Sequence, residues 1–96
     1  MKYNKVKVIE LTYGHDIRNN KENRYIVKIN YDDGVFKTSF FLDVTEEILS
    51  HDIQYNEENM SKLKKSLPNE FEVDLYDSFK INPNSLNKWI EKYKAN

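Results

Sequence analysis

Residues 24–42 read RYIVKINYDDGVFKTSFFL, two β-rich runs on either side of Asp33-Gly34. Asp-Gly between such runs is a strong hairpin signal, because a two-residue type I′ turn needs positive φ at both central positions. With Asp33-Gly34 as the loop, Tyr31 faces Phe36, Ile29 faces Thr38, Val27 faces Phe40 and Tyr25 faces Leu42. These four pairs share one face. The other face holds Asp32/Val35, Asn30/Lys37, Lys28/Ser39 and Ile26/Phe41. One face is apolar and the other mostly wet, the pattern of a hairpin covered on one side. A loop longer by one residue would set Ile29 against Lys37, which the alternation disfavours. The hairpin is therefore scaffold. Ile26 and Phe41, neighbours on the wet face, are the apolar exception and a candidate anchor for a partner. A free edge on either strand could also pair with a partner strand.

Toward the N-terminus, residues 3–13 (YNKVKVIELTY) read as a strand. Val6 and Val8 point one way under strict alternation, and Ile9, Leu11 and Tyr13 the other, so a bulge at Val8-Ile9 would reconcile the faces. Residues 14–23 (GHDIRNNKEN) are polar and turn-prone and read as a long loop.

Toward the C-terminus, residues 43–51 read as a short helix, with Asp43 and Glu46 placed as a capping box. Residues 57–67 read as a second helix capped by Asn56, with Met60, Leu63 and Leu67 on one face and Pro68 as its stop. Residues 70–76 (EFEVDLY) alternate as a strand, with Phe71, Val73 and Leu75 inward and Asp74 outward; Phe71, Leu75 and Phe79 also fit a helical face. Asn82-Pro83 opens the last helix, whose stripe is Leu86, Trp89, Ile90 and Tyr93. The expectation is one α+β domain over 1–96, in the order β-β-β-α-α-β-α. An antiparallel sheet of three to four strands would carry two or three helices on one face.

The chain has 96 residues, 39% of them hydrophobic, with five Phe, seven Tyr and one Trp, enough for a modest core. It has no cysteine, which excludes disulfides and thiolate chemistry and fits a reducing compartment. No apolar segment is long enough for a secretory signal or a membrane span, so the expected location is cytoplasmic, with no membrane partner. Two glycines cannot build a phosphate-cradling loop, and no nucleophile elbow is present. His15-Asp16 and His51-Asp52 are the only His-Asp dipeptides, and two histidines are too few for a His-Asp metal hydrolase. Glu46/Glu47 and Glu57/Glu58 are adjacent on helices and do not face each other as an acid–base dyad. These readings give no enzyme, no catalytic residue, no metal and no cofactor.

Net charge is −1, but the charges are segregated. Residues 43–58 hold six acids (Asp43, Glu46, Glu47, Asp52, Glu57, Glu58) and no base. Helix capping and solubility account for such a run. It would also serve as a surface that docks on a basic partner. The expected function is thus a small non-catalytic binding or regulatory protein acting through protein–protein contacts. An acidic-surface inhibitor of a basic, nucleic-acid-processing partner, of bacterial or mobile-element origin, is its sharpest form.

An alternative comes from Asp77–Tyr93 (DSFKINPNSLNKWIEKY), where Ile81, Ser85, Leu86, Trp89 and Ile90 form a Leu-x-x-Trp-Ile pattern after a turn. This tail resembles the end of the helix-turn-helix in small transposase-type proteins. The resemblance implies DNA binding through Ser85–Tyr93, with Lys88 and Lys92 near the phosphates. The neighbouring acids Glu70, Glu72, Asp74 and Asp77 oppose the basic footprint that such binding requires.

Overall fold

The computed structural model describes residues 2–96; Met1, the first residue of the expected 1–96 domain, lies outside them. Seven elements follow in the expected order: β1 (Asn4–Asp16), β2 (Lys21–Asp32), β3 (Lys37–Asp43), α1 (Thr45–Leu49), α2 (Glu57–Ser66), β4 (Glu70–Val73) and α3 (Pro83–Ala95). The strands form one antiparallel sheet ordered β3-β2-β1-β4. Val6, Val8, Leu11, Tyr25, Val27, Ile29, Leu42, Phe71 and Val73 line its core face. They join Ile48, Met60, Leu63, Leu86, Trp89, Ile90 and Tyr93 from the helices in one buried cluster. No helix among the described residues is long and apolar enough to cross a membrane.

The bulge in β1 lies where the face conflict placed it. Val8 pairs with Ile29 and Glu10 with Lys28, so Ile9 is the extra residue. That one residue returns Leu11 to the same face as Val6 and Val8 and leaves Ile9 exposed.

The hairpin register differs from the sequence reading by two residues. Tyr31 pairs with Thr38, Ile29 with Phe40 and Val27 with Leu42. Gly34 carries the positive φ, +89°, and Asp33 does not, so the type I′ geometry is absent. The aspartates act as caps instead. Asp32 Oδ1 accepts from Gly34 N (2.8 Å), and Asp33 Oδ1 accepts from Val35 N (3.0 Å) and Phe36 N (2.7 Å). This moves the tip onto Gly34-Val35 and leaves Val35 and Phe36 exposed. A two-residue slip preserves faces, so the core pattern survives it.

Residues 14–23 are a second correction. They are mostly strand, with β1 and β2 closing on a four-residue turn at 17–20 and a second register shift between Gly14 and Asp16. The polar composition goes with exposure of residues 17–23 and not with a lack of pairing.

The helices follow their caps. Asn56 Oδ1 accepts from Asn59 N at 2.7 Å to start α2, and Asn82 Oδ1 accepts from Asn84 N at 3.0 Å ahead of Pro83 in α3. α1 is shorter than 43–51 and has no side-chain cap. β4 ends at Val73, and Asp74 turns inward instead of outward. Its carboxylate accepts from the backbone N–H groups of Tyr76, Asp77 and Ser78 and so folds the chain away from the sheet.

The two edges of the sheet differ. β4 is covered on its free side at Glu72 and just beyond its end at Asp74: Glu72 N donates to Ser85 Oγ (2.9 Å), Asn82 N to Glu72 O (2.8 Å) and Asp74 N to Lys80 O (2.9 Å). β3 is covered only at the Phe41 carbonyl, which accepts from Arg18 Nη1 at 3.0 Å. Asp33 N donates to Phe36 O and Val44 N to Tyr25 O, which fixes the alternation between them. Thr38, Phe40 and Leu42 turn their peptide groups toward β2, and Lys37, Ser39, Phe41 and Asp43 turn theirs outward.

Candidate functional site

The outer face of the sheet is a lattice of opposite charges. Lys5 lies opposite Glu72, Lys7 opposite Glu70, Glu10 opposite Lys28 and Asp32 opposite Lys37. Of these four pairs, Lys37 and Asp32 close to an ion pair, at 3.7 Å. One region breaks the lattice. Ile26 and Phe41 share this face, as the sequence indicated, but they are diagonal neighbours: Ile26 lies opposite Asp43 and Phe41 opposite Lys28. Phe41 is 46% exposed and Ile26 is half-buried. With Thr12, His15, Asp16, Ile17 and Arg18 they line a shallow depression of about 250 Å³.

Arg18 organises that depression. Its guanidinium forks onto the Asp16 carboxylate (Nε–Oδ1 3.1 Å, Nη2–Oδ2 3.2 Å). It lies over the Phe41 ring, 5.2 Å from the centroid, and Nη1 donates to Phe41 O at 3.0 Å. Asp16 is buried, and its hydrogen bond from Arg18 holds its carboxyl below the ordinary aspartate value. The β1–β2 turn is thus strapped back onto the outer face. Sequence reasoning missed Asp16 and Arg18 because it read them as solvated loop. One signal was available: the chain has only two arginines among its 15 basic residues. Both sit where a planar fork meets a carboxylate, a task lysine does poorly.

The second arginine divides the acidic run. Arg24 Nε donates to Asp43 Oδ2 (2.9 Å), and Nη2 donates to both oxygens of Glu46 (2.8 and 2.9 Å). Burial works against the Asp43 charge, but hydrogen bonds from Thr45 and Arg24 outweigh it and hold the carboxyl low. Asp43 and Glu46 therefore clamp α1 to the β2–β3 pair and do not form the expected capping box. Glu47 is half-buried, and burial, reinforced by Glu46, pushes its carboxyl above the ordinary value. Asp52, Glu57 and Glu58 are exposed. The six acids thus separate into an internal clamp, one half-buried side chain and three solvated carboxylates.

The residues of the helix-turn-helix resemblance are placed in the core. Leu86, Trp89 and Ile90 are buried, and the indole Nε1 of Trp89 donates to Leu63 O at 3.0 Å. Ile81 bridges to Val73, and Ser85 holds the edge of β4. The element before α3 is a strand and not a helix. Lys88 and Lys92 lie on the exposed side of α3.

Among the described residues, no three His, Asp or Glu side chains converge to hold a metal ion. His15 Nε2 shares a 3.1 Å hydrogen bond with Asn20 Oδ1 inside the β1–β2 turn. The Tyr25 hydroxyl is buried without a partner beside Tyr13 and Tyr55, and burial pushes it up to about 12. It keeps its proton. No family model, curated protein or solved structure matches this chain, so its site is defined by its own geometry.

Proposed function

We propose that this chain is a small non-catalytic binding protein that acts through protein–protein contacts. Its contact surface is the outer face of the sheet around Phe41 and Ile26. The observation that carries this reading is the apolar break in a largely polar and charged face, with a half-exposed Phe41 on an edge strand. An aromatic side chain in a depression rimmed by polar groups is the usual form of an interface anchor. The acidic run contributes less than its composition suggests, because Arg24 neutralises part of it. Asp52, Glu57 and Glu58 remain as the carboxylates able to steer a basic partner toward the molecule.

The test is capture from bacterial lysate, with and without nuclease, by the wild-type chain, Phe41→Ser and a Glu57→Lys/Glu58→Lys variant, each checked for fold by Trp89 emission. A protein retained by wild type, lost with Phe41→Ser and kept by the charge-reversed variant supports the apolar site. Loss confined to the charge-reversed variant moves the contact to the acidic residues. Release of every captured protein by nuclease overturns the reading in favour of nucleic acid.

A further inference from the structure

We infer that the outer edge of β3 is completed by β3 of a second copy of this chain, running antiparallel about a two-fold axis at Phe40. The inference rests on the reading of Phe41 as part of a contact surface and names the strand that lies beside it.

The pairing rules select the register. The four residues with outward peptide groups are Lys37, Ser39, Phe41 and Asp43, all on the outer face. An antiparallel copy can satisfy all four only if Lys37 meets Asp43 of the second copy and Ser39 meets its Phe41. Every outward N–H and C=O then has a partner, and Phe40 faces its own copy on the axis.

The charges agree with that register. Every seam already within the sheet sets a lysine against a carboxylate on the outer face. The new seam continues the pattern, placing Lys37 against Asp43 twice by symmetry. Both groups have charge to spare. Asp43 and Glu46 share one arginine, which leaves the trio a net −1. Lys37 is exposed and only loosely held by Asp32 at 3.7 Å.

The edge carries charges at its two ends, Lys37 and Asp43, but lacks two other usual protections. β3 runs seven residues with no proline and no bulge. Its partial guard is Arg18, whose Nη1 donates to Phe41 O. Arg18 lies over the Phe41 ring, so it approaches from the outer face and leaves the carbonyl a second lone pair for a neighbouring strand. On the core face the seam would set Phe40 against Phe40 beside Phe79, whose ring already packs edge-on against Phe40 at 5.4 Å. Aromatic cross-strand pairs of this kind favour association.

Sedimentation equilibrium from low micromolar to millimolar concentration tests the inference. Wild type should shift toward twice its 11.6 kDa mass as concentration rises. Ser39→Pro removes an outward N–H and leaves the β2–β3 ladder intact, so it should remain folded by Trp89 emission and monomeric throughout. Ser39→Ala, which loses only the bond from Ser39 Oγ to Asn30, should dimerise like wild type. Lys37→Glu should weaken the dimer by roughly tenfold, since it reverses two symmetric pairs at once. A wild-type chain monomeric at millimolar concentration overturns the inference, as does a dimer insensitive to Ser39→Pro. Phe41-dependent capture of a partner by a strictly monomeric chain would leave the proposed function standing while this inference falls.

Discussion

At the scale of single residues, the side chains that matter most for the local structure carry charge and are partly withdrawn from water. The surroundings of Glu47 disfavour its ionised form, through burial first and the Glu46 charge second. Its folded value lies above the ordinary 4.5, so the stability linked to its protonated form is present below that pH. That stability is lost as the pH rises through the raised value. At neutral pH the ionised side chain is a net cost. Glu47→Gln should therefore raise the thermal midpoint at pH 7 by roughly 1–3 °C, about 0.2–0.5 kcal/mol given its partial exposure. It should have little effect near pH 4, and equal midpoints for variant and wild type at pH 7 would count against the assignment. Phe79 is unusual in another way: it holds φ at +52°, a region costly for a large side chain. Its ring packs on Phe40, and that contact keeps the conformation in place.

At the scale of elements, the helices and the bulge were legible, and the reasons are local. Asn56 and Asn82-Pro83 announce helix starts through bonds only two or three residues long. The stripe from Leu86 to Tyr93 needs only the helical period. The conflict of faces around Val8 and Ile9 required an extra residue, and β1 has one. The hairpin register was not legible, because a two-residue slip keeps every side chain on its face. The choice between registers lay with the Asp32 and Asp33 carboxylates at the tip. The Arg24 clamp joins residues 19 and 22 positions apart, and the Arg18 strap reaches Phe41 across 23, so neither leaves a local pattern. The bulge gives this scale its prediction. Without Ile9 the strand would alternate strictly from Val6 through Tyr13. Deleting Ile9 should leave a folded chain with Trp89 still buried, whereas deleting Lys28 from β2 should flip half a central strand and unfold it. Circular dichroism and Trp89 emission read both outcomes, and an unfolded Ile9 deletion would refute the role given to the bulge.

At the scale of the whole molecule, acid stability follows from carboxylates held below their ordinary values. Hydrogen bonds from Arg18 to Asp16, Arg24 to Glu46 and the Phe36 N–H to Asp33 are the largest causes at those sites. At Asp43 and Asp74 burial pushes the other way and is outweighed by hydrogen bonds. With folded values depressed, this stabilisation is present above the ordinary carboxylate range and is lost as the pH falls through the depressed values. The thermal midpoint should stay nearly flat from roughly pH 8 to 5 and decline steeply below about pH 4. A midpoint unchanged at pH 3 would show that these five groups are not coupled to folding.

The covered edge of β4 has a consequence for assembly. A sheet with two open edges can add copies without end and grow into a filament. Here Ser85, Asn82 and Lys80 occupy the outward groups of Glu72 and Asp74 on one side. A symmetric pairing at β3 would use the same patch on both copies and leave neither β3 free. The inferred β3 pairing would thus join two copies through one shared patch and would not extend through β3 to a third.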